Sequence, residues 1–281
     1  MKVELIRYTQ DALDLLLETK NTRMTGKPVS EMTESEKQEH WRYMLDTIKS
    51  PFDFVDYIFD ITDVSKNMTH QMVRTRTGAY QERTSRAQES SAFDAIRPKA
   101  FERDGDFDSL DDLGKKDFFD QNEEGYWDSE KRSVLAEKWD DAMATIDALY
   151  QELRAAGAEI QDARAVLPSN MQTHIMAKFN LRTLQQMASN RLCTRTQGEY
   201  QEVFRAMVAE VLKVHPWANP LLQPQCIGMG KCAFPRHGKA HCPWYRDWMD
   251  TTAQQEELRI QFWNAMPITN NPVAKDGVSK G

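Results

Sequence analysis

Two stretches of alternating hydrophobicity limit the folds that this chain can adopt. In residues 54–62, Val55, Tyr57, Phe59 and Ile61 occupy every second position, with acidic residues between them. A period of two is typical of a strand with one buried face. Residues 171–179 alternate in the same way. Because a half-buried strand needs neighbours for its backbone hydrogen bonds, the two stretches predict a sheet.

Helical patterns account for most of the remaining sequence. The longest helix is predicted to begin at Asp128 or Ser129 and end at Gly157, with an apolar stripe of Leu135, Trp139, Ala142, Ile146, Leu149 and Leu153. Shorter helices are predicted over residues 11–20, 180–192 and 196–214. Asn180 is the predicted N-cap of the second of these, and Ser65 is a suitable N-cap for another helix. A short strand is expected at residues 165–167, before a proline. The sequence therefore predicts an α+β fold, a single mixed domain in which a small, mostly antiparallel sheet packs with long helices.

The negative charge of the chain is concentrated in one segment. The 281 residues include 36 Lys and Arg against 43 Asp and Glu, a formal net charge of −7. Residues 102–124 contain ten acids and three bases, which accounts for the whole excess. We assign residues 98–126 to an acidic loop insertion in a domain spanning residues 1–217, followed by an irregular Pro- and Cys-rich extension over residues 218–281. The sequence lacks the basic excess that binding to a nucleic-acid polymer would need.

Further features bear on the compartment in which the protein works. The sequence has no run of 18 apolar residues, so no transmembrane helix and no membrane partner are predicted. Residues 1–11 are charged from Lys2 onward and lack the apolar centre of a signal peptide. Four cysteines in a chain of this length favour a reducing compartment over a disulfide framework. We expect a cytoplasmic protein.

Residues 70–86 are the segment richest in functional signals. They contain Arg74, Arg76, Arg83 and Arg86, with hydroxyl side chains between them and a single acid. Guanidinium groups donate paired hydrogen bonds and never lose their charge, so the segment suits a phosphate group. A solvated basic surface is the alternative. Gly78 favours a turn in the middle of the segment, and with it a shaped anion site.

A second polar series lies on the helix predicted after residue 180. Arg182, Gln186 and Asn190 recur every four residues and would form one row, with Arg191 beside it. If the row faces inward, its side chains would form hydrogen bonds with the edge of a heterocycle. If it faces outward, its side chains would only be solvated. The sequence has neither a Walker-type loop nor the glycine pattern of a dinucleotide-binding fold.

Cysteine and histidine residues cluster in the C-terminal extension. Cys226, Cys232, Cys242 and His237 are candidate ligands of a structural zinc ion, since thiolate and imidazole groups are its usual ligands. Free thiols in an irregular packed segment are the alternative, because the cysteines are five and nine residues apart rather than in a tight pair. Cys193, beside a leucine, is expected to be a small core residue.

At these residues the chain resembles the flavin-dependent thymidylate synthase family, over most of residues 1–217. The family signature is Arg-His-Arg, seven residues and Ser, and it stands here as Arg74-Thr75-Arg76, seven residues and Thr84. Four further fragments occur in the family's order and spacing: SPFDF from Ser50, FDITDVSKNMTHQMVR before the signature's end, ARAVLP from residue 163, and NLRTLQQ from Asn180.

The resemblance implies an enzyme that makes dTMP from dUMP, with methylenetetrahydrofolate giving the carbon and NADPH reducing bound FAD, which then delivers a hydride. The resemblance also assigns residues to the nucleotide, namely Gln71, Arg74, Glu82, Thr84, Ser85, Arg86, Arg164 and Arg191. Those assigned to the flavin are Ser50, Arg74, Thr75, Arg76, Glu82, Asn180, Arg182 and Gln186. Arg191 would be catalytic, stabilising negative charge on the pyrimidine ring. Family sites are assembled from several subunits, so a homotetramer is expected.

The sequence departs from the family pattern mainly where flavin and folate would lie. Thr75 replaces the signature His, Thr84 replaces the Ser, and Gln81 and Gln186 replace Asn residues. Two alternatives therefore stay open. One is a related flavin-dependent enzyme that methylates or hydroxymethylates carbon 5 of another pyrimidine nucleotide. The other is a catalytically silent nucleotide-binding relative.

Overall fold

A four-stranded antiparallel sheet organises the chain in the computed structural model, which describes residues 1–23, 26–47, 49–84, 94–98, 101, 129–229, 231–242 and 245. The strands are β1 (Lys2–Tyr8), β2 (Asp56–Ser65), β3 (Ala79–Glu82) and β4 (Gln172–Asn180), in the order β1-β2-β4-β3. Every pair of neighbours is antiparallel. The predicted fold class is confirmed, and so are the two strands expected from alternation.

The helices are named in chain order within the described residues. They are α1 (Ala12–Arg23), α2 (Glu34–Asp46), α3 (Lys66–Met72), α4 (Ser129–Ala155), α5 (Ile160–Ala163), α6 (Leu181–Arg191), α7 (Gly198–Val214), α8 (Gln225–Met229) and α9 (Pro235–His241). Ser65 Oγ accepts a hydrogen bond from the Met68 N–H, and Asn180 Oδ1 accepts one from the Thr183 N–H. Both predicted N-caps are confirmed.

The core lies between one face of the sheet and helices α1, α3, α6 and α7. Val55, Tyr57, Phe59 and Ile61 of the predicted alternating strand are fully buried in it. Facing them, α7 buries eight residues, among them Tyr200 and Phe204. The buried face of β2 and the buried face of α7 thus pack together in one apolar layer. This packing fixes the position of the two elements relative to one another.

Two expectations about particular elements fail. Residues 165–167 do not form a strand, because α5 continues into a 3-10 turn at Arg164–Val166 that is closed by the Leu167 N–H donating to the Arg164 carbonyl. The apolar stripe of α4 is only partly buried, since Leu149 is 42% exposed. The acidic segment lies outside the described residues apart from a few positions at its start, and the division at residue 217 stays a prediction. Within the described part of the chain, no helix is long and apolar enough to cross a membrane.

Candidate functional site

Two of the predicted arginines lie on a turn between α3 and β3, residues 73–78, which we call the arginine turn. Backbone bonds fold it: the Thr75 N–H donates to Met72 O over 3.0 Å, and the Gly78 N–H donates to Thr75 O over 3.0 Å. Tyr80 Oη lies 2.6 Å from Thr75 O and 3.0 Å from Met72 O. These hydrogen bonds fix the backbone of the arginine turn, while the side chains of Arg74 and Arg76 are exposed. This arrangement presents two guanidinium groups to an anion without using either of them in the fold.

Gly78 allows the arginine turn to approach the end of β4. A Cβ at this position would lie 2.4 Å from Tyr80 Oη and 2.6 Å from Phe179 Cε1, well inside van der Waals contact. Only glycine leaves room for this approach. The turn predicted at Gly78 is confirmed.

The same end of the sheet carries a second polar group. Asp53, in the 3-10 turn Ser50–Phe54, accepts a hydrogen bond from Asn180 Nδ2 at 3.1 Å and forms an ion pair with Arg182 Nη1 at 2.9 Å. Strand pairing places Asn180 opposite Asp56, and Lys178 opposite Ala79 at the start of β3. The fold thus brings the arginine turn to the same end of the sheet as three predicted flavin-lining residues, Ser50, Asn180 and Arg182. We call this group the sheet-end cluster.

Glu82 lies at the other end of β3 and is held by three donors. Its Oε1 accepts from Thr69 Oγ1 at 2.9 Å, from Thr173 Oγ1 at 3.2 Å and from Lys66 Nζ at 3.5 Å. Both threonines are buried. All three bonds converge on Oε1, so the carboxylate is held in one orientation by α3 and β4.

Arg191, the last residue of α6, is half-buried against Tyr200. Its guanidinium carbon lies 4.5 Å from the centre of the Tyr200 ring, a cation–π contact. The Tyr200 hydroxyl is fully buried and makes no hydrogen bond within the described structure, although Thr75 and Arg191 both lie close to it. Burial raises the pKa of Tyr200, and the nearby Arg191 and Thr75 lower it in part. The hydroxyl therefore stays protonated, between the arginine turn and the end of α6.

Arg191 also lines a pocket of about 400 Å³, which we call the polar pocket. Gln71 of α3 lies on the same wall, where its Nε2 donates to Gln197 Oε1 at 3.2 Å. The loop of residues 193–197 and the segments around α8 and α9 form the remaining walls. Arg195 is stacked on the Phe234 ring at 4.0 Å. Two of the predicted nucleotide-binding residues, Gln71 and Arg191, thus meet in one cavity, and Arg195 adds a second guanidinium group.

The polar pocket also contains the predicted zinc ligands Cys226, Cys232, Cys242 and His237. Burial raises the pKa of Cys226 to about 12, and its three fellow cysteines add to the effect. Among the described residues, no three Cys, His, Asp or Glu side chains lie close enough to hold one metal ion. The expectation that Cys193 is a core residue is wrong: it is half-buried and lines the same pocket, because α6 ends just before it.

Other predicted site residues do not gather at the pocket. Arg164 is held in its own turn, where Nε donates to Gln161 O at 3.2 Å, and it is not among the pocket-lining residues. Thr84 is exposed at the end of β3, and Ser85 and Arg86 lie outside the described residues. On α6, Gln186 is exposed and does not line the pocket, whereas Asn190, although exposed, is among the residues that line it.

Sequence reasoning missed several residues that build these sites. Asp53, Thr69, Tyr80, Thr173 and Tyr200 make the contacts described above but carry no pattern of their own in the sequence. Only Asp53 had a usable signal, as the acid within the SPFDF fragment. The others act by packing against residues far away along the chain, which periodicity does not report.

Comparison with known proteins gives consistent results. Residues 4–217 match the protein family described as thymidylate synthase complementing protein. The chain is 27% identical over 238 residues to the flavin-dependent thymidylate synthase of Clostridium tetani, covering 83% of this chain and 90% of that protein. It is 28% identical over 243 residues to the protein of the same name from Pyrococcus furiosus, covering 83% and 89%.

One solved structure with the same fold is a UMP/dUMP methylase from Streptomyces cacaoi bound with 5-Br dUMP. It superposes with a TM-score of 0.58 at 19% sequence identity, covering 76% of this chain and 90% of that one. At this identity the comparison establishes the shared fold.

Proposed function

Because this chain belongs to the thymidylate synthase complementing protein family, we propose that it is a flavin-dependent thymidylate synthase. It would convert dUMP to dTMP, with methylenetetrahydrofolate as the carbon donor and NADPH as the reductant. The observation that carries the proposal is the polar pocket, where Gln71 and Arg191 from separate elements line one cavity. Gln71 lies in α3 and Arg191 at the end of α6, so only the packing of the fold brings these two residues together.

The nucleotide would be held mainly by charge and by directed hydrogen bonds. Gln71 offers an amide to the base, and Arg74 and Arg86 offer guanidinium groups to a dianionic phosphate. Thr84, Ser85 and Arg164 complete the proposed set. Glu82 would accept hydrogen bonds from the sugar or base with the carboxylate edge that its three donors leave available.

The residues at the sheet-end cluster fit a flavin nucleotide. Arg74 and Arg76 are exposed on a fixed backbone, and Asn180 and Arg182 are held by Asp53. Guanidinium and amide donors of this kind suit a pyrophosphate, so we propose that the cluster holds FAD through Ser50, Arg74, Thr75, Arg76, Asn180 and Arg182. Glu82, at the other end of β3, and Gln186, on α6, complete the set that the resemblance implies. When bound, FAD would supply the hydride that the methyl transfer requires.

Arg191 is proposed as the catalytic residue. Its charge is permanent, and its contact with the buried Tyr200 ring removes part of its water shell. A cation in a partly desolvated pocket stabilises negative charge that develops on a pyrimidine ring, without reorganising during the reaction. The buried Tyr200 ring packs against the guanidinium group and restricts its movement from the core side.

A homotetramer is part of the proposal. Arg164 is held away from the polar pocket within one chain, and the apolar stripe of α4 is only partly buried. Both observations fit an active site to which a second copy contributes Arg164.

The optical spectrum of the purified protein tests the proposal. We expect a yellow protein whose flavin absorbance changes on addition of dUMP and is lost on addition of NADPH. Arg74→Ala should reduce FAD uptake, whereas Arg42→Ala, an exposed change on α2, should not. Colourless protein that never takes up FAD contradicts the proposed function.

A related activity on another pyrimidine nucleotide is the second candidate. The similar structure from Streptomyces cacaoi is named for UMP as well as dUMP, and Thr75 and Gln186 change the flavin-lining set. Mass spectrometry of the products from dUMP, UMP and dCMP separates the candidates. Formation of dTMP alone removes the second one, and nucleotide binding without turnover would indicate a silent relative.

A further inference from the structure

One carboxylate joins two helices that are far apart along the chain. Glu199, in the first turn of α7, accepts a hydrogen bond at Oε1 from the Ser65 N–H at 2.6 Å and one at Oε2 from Ser65 Oγ at 2.5 Å. Ser65 is fully buried and is the N-cap of α3. Both carboxylate oxygens are thus engaged by one residue, and hydrogen bonds to a carboxylate are stronger than those between neutral groups.

The first backbone N–H groups of α3 all have acceptors outside the helix. The pairs are Lys66 with Met171 O at 3.0 Å, Asn67 with Ser169 O at 2.8 Å and Met68 with Ser65 Oγ at 3.0 Å. A helix leaves these groups without partners of its own, so the contacts decide where α3 begins and how it is oriented. The Ser65 hydroxyl accepts from α3 and donates to Glu199, which extends this set of contacts to α7.

The position of α3 matters because of what the helix carries. Gln71, in its last turn, lines the polar pocket and donates to Gln197 just before α7, and the arginine turn follows directly. α3 has seven residues, about two turns. A helix of this length is not stable by itself in water, so contacts with the rest of the fold determine its position. A movement at Ser65 would therefore reach Gln71 and the arginine turn.

We propose that Glu199 is a positioning residue for the polar pocket and the arginine turn, acting through α3. Glu82 accepts hydrogen bonds from Lys66 and Thr69 of the same helix. One carboxylate therefore holds α3 to α7, and another holds it to β3. The role of Glu199 rests on the proposed function, in which the polar pocket holds dUMP and the sheet-end cluster holds FAD.

Calorimetric titration of Glu199→Ala with dUMP and with FAD tests this role. The change leaves two buried donors of Ser65 without their acceptor, so α3 loses its fixed position. We expect both dissociation constants to rise about tenfold. Glu199→Gln keeps one acceptor oxygen and should give intermediate values. Glu210→Ala is the control, since it removes an acid of the same helix that pairs only locally, with Lys213, and should leave both constants unchanged.

A second substitution shows whether Glu199 acts through α3. In Gln71→Ala the contact of this amide with dUMP is already absent, so adding Glu199→Ala should raise the dUMP dissociation constant by a smaller factor than in the original chain. A role in overall stability alone would lower the folded fraction, which circular dichroism measures, by the same factor in both backgrounds. Equal factors for dUMP, or tight binding of both ligands by a folded Glu199→Ala protein, would overturn the proposal. If Glu199→Ala does not fold, Glu199→Gln is measured in the same way.

Hydrogen exchange without ligands separates this role from the proposed function. The amides of residues 65–72 should exchange about tenfold faster in Glu199→Ala than in the original chain, while those of β1 should not change. An original chain that binds neither dUMP nor FAD would refute the proposed function, and the exchange rates would then decide whether Glu199 positions α3. Unchanged exchange over residues 65–72 would overturn the proposal in either case.

Discussion

Among single residues, Arg191 has the largest proposed effect on turnover. Replacing it with alanine removes the cation from the polar pocket, and we expect kcat to fall by about 10²–10³-fold, the usual cost of losing one preorganised charge-stabilising group. Arg191→Lys should recover only part of the activity, because an ammonium group cannot stack on Tyr200 in the same way. Arg42→Ala is the matched control. Unchanged turnover in a folded Arg191→Ala protein would refute the catalytic role.

His215 gives the chain a pH-dependent stability. Its buried ring lies 2.8 Å, at Nδ1, from the hydroxyl of Tyr57, and burial lowers the pKa of His215 below its ordinary value. In the unfolded chain His215 therefore binds a proton below about pH 6.5, whereas in the folded chain it stays neutral to a lower pH. The neutral, buried His215 therefore contributes its full share to the free energy of unfolding above that pH. This share is lost as the pH falls toward the lowered pKa of His215.

We therefore expect the free energy of unfolding to decrease between pH 7.5 and 5.5, and to decrease less in His215→Phe. Urea denaturation of both proteins at the two pH values measures the difference. Equal losses in the two proteins would show that His215 is not responsible.

At the scale of elements, the arginine turn is the feature most sensitive to a small change. Gly78→Ala would force a Cβ into Tyr80 and Phe179, and we expect it to cost about 1–3 kcal/mol of stability, as overpacking does. It should also weaken FAD binding, because the turn carries Arg74 and Arg76. Gly198→Ala is the control: a Cβ there meets nothing within 4 Å, so its stability should stay within about 0.5 kcal/mol of the original. Equal stability of the two variants would contradict this packing.

The elements themselves were largely predictable from the sequence. β2, β4 and the N-caps at Ser65 and Asn180 follow from local patterns, because alternation and capping involve residues close together in the chain. The strand expected at residues 165–167 was wrong, since three residues before a proline carry too little pattern to tell a strand from a turn. β1 was missed because it lies at the sheet edge, where its alternating side chains are only half-buried. The meeting of Gln71 and Arg191 was expected only from the resemblance, and the position of Cys193 beside the other three cysteines was not expected, because both depend on how α3, α6 and the C-terminal segment pack.

At the scale of the whole molecule, assembly is the main expectation. Within the described residues, α4 leaves Val134 and Leu149 more than 40% exposed, and Arg164 lies away from the pocket that it is proposed to serve. We expect a homotetramer of the 32.6 kDa chain in solution by light scattering, with Leu149→Asp shifting it toward smaller species. Glu137→Gln, an exposed polar change on the same helix, should not. A fully active monomer would contradict shared sites.

Methylation of dUMP can be followed through the transferred carbon atom. The purified protein is incubated with FAD, NADPH, dUMP and methylenetetrahydrofolate labelled with ¹³C in the transferred carbon, and the nucleotides are analysed by mass spectrometry. We expect dTMP that carries the label and whose formation depends on NADPH, with Arg191→Ala producing far less. Bound FAD and bound dUMP without any labelled dTMP would contradict this expectation.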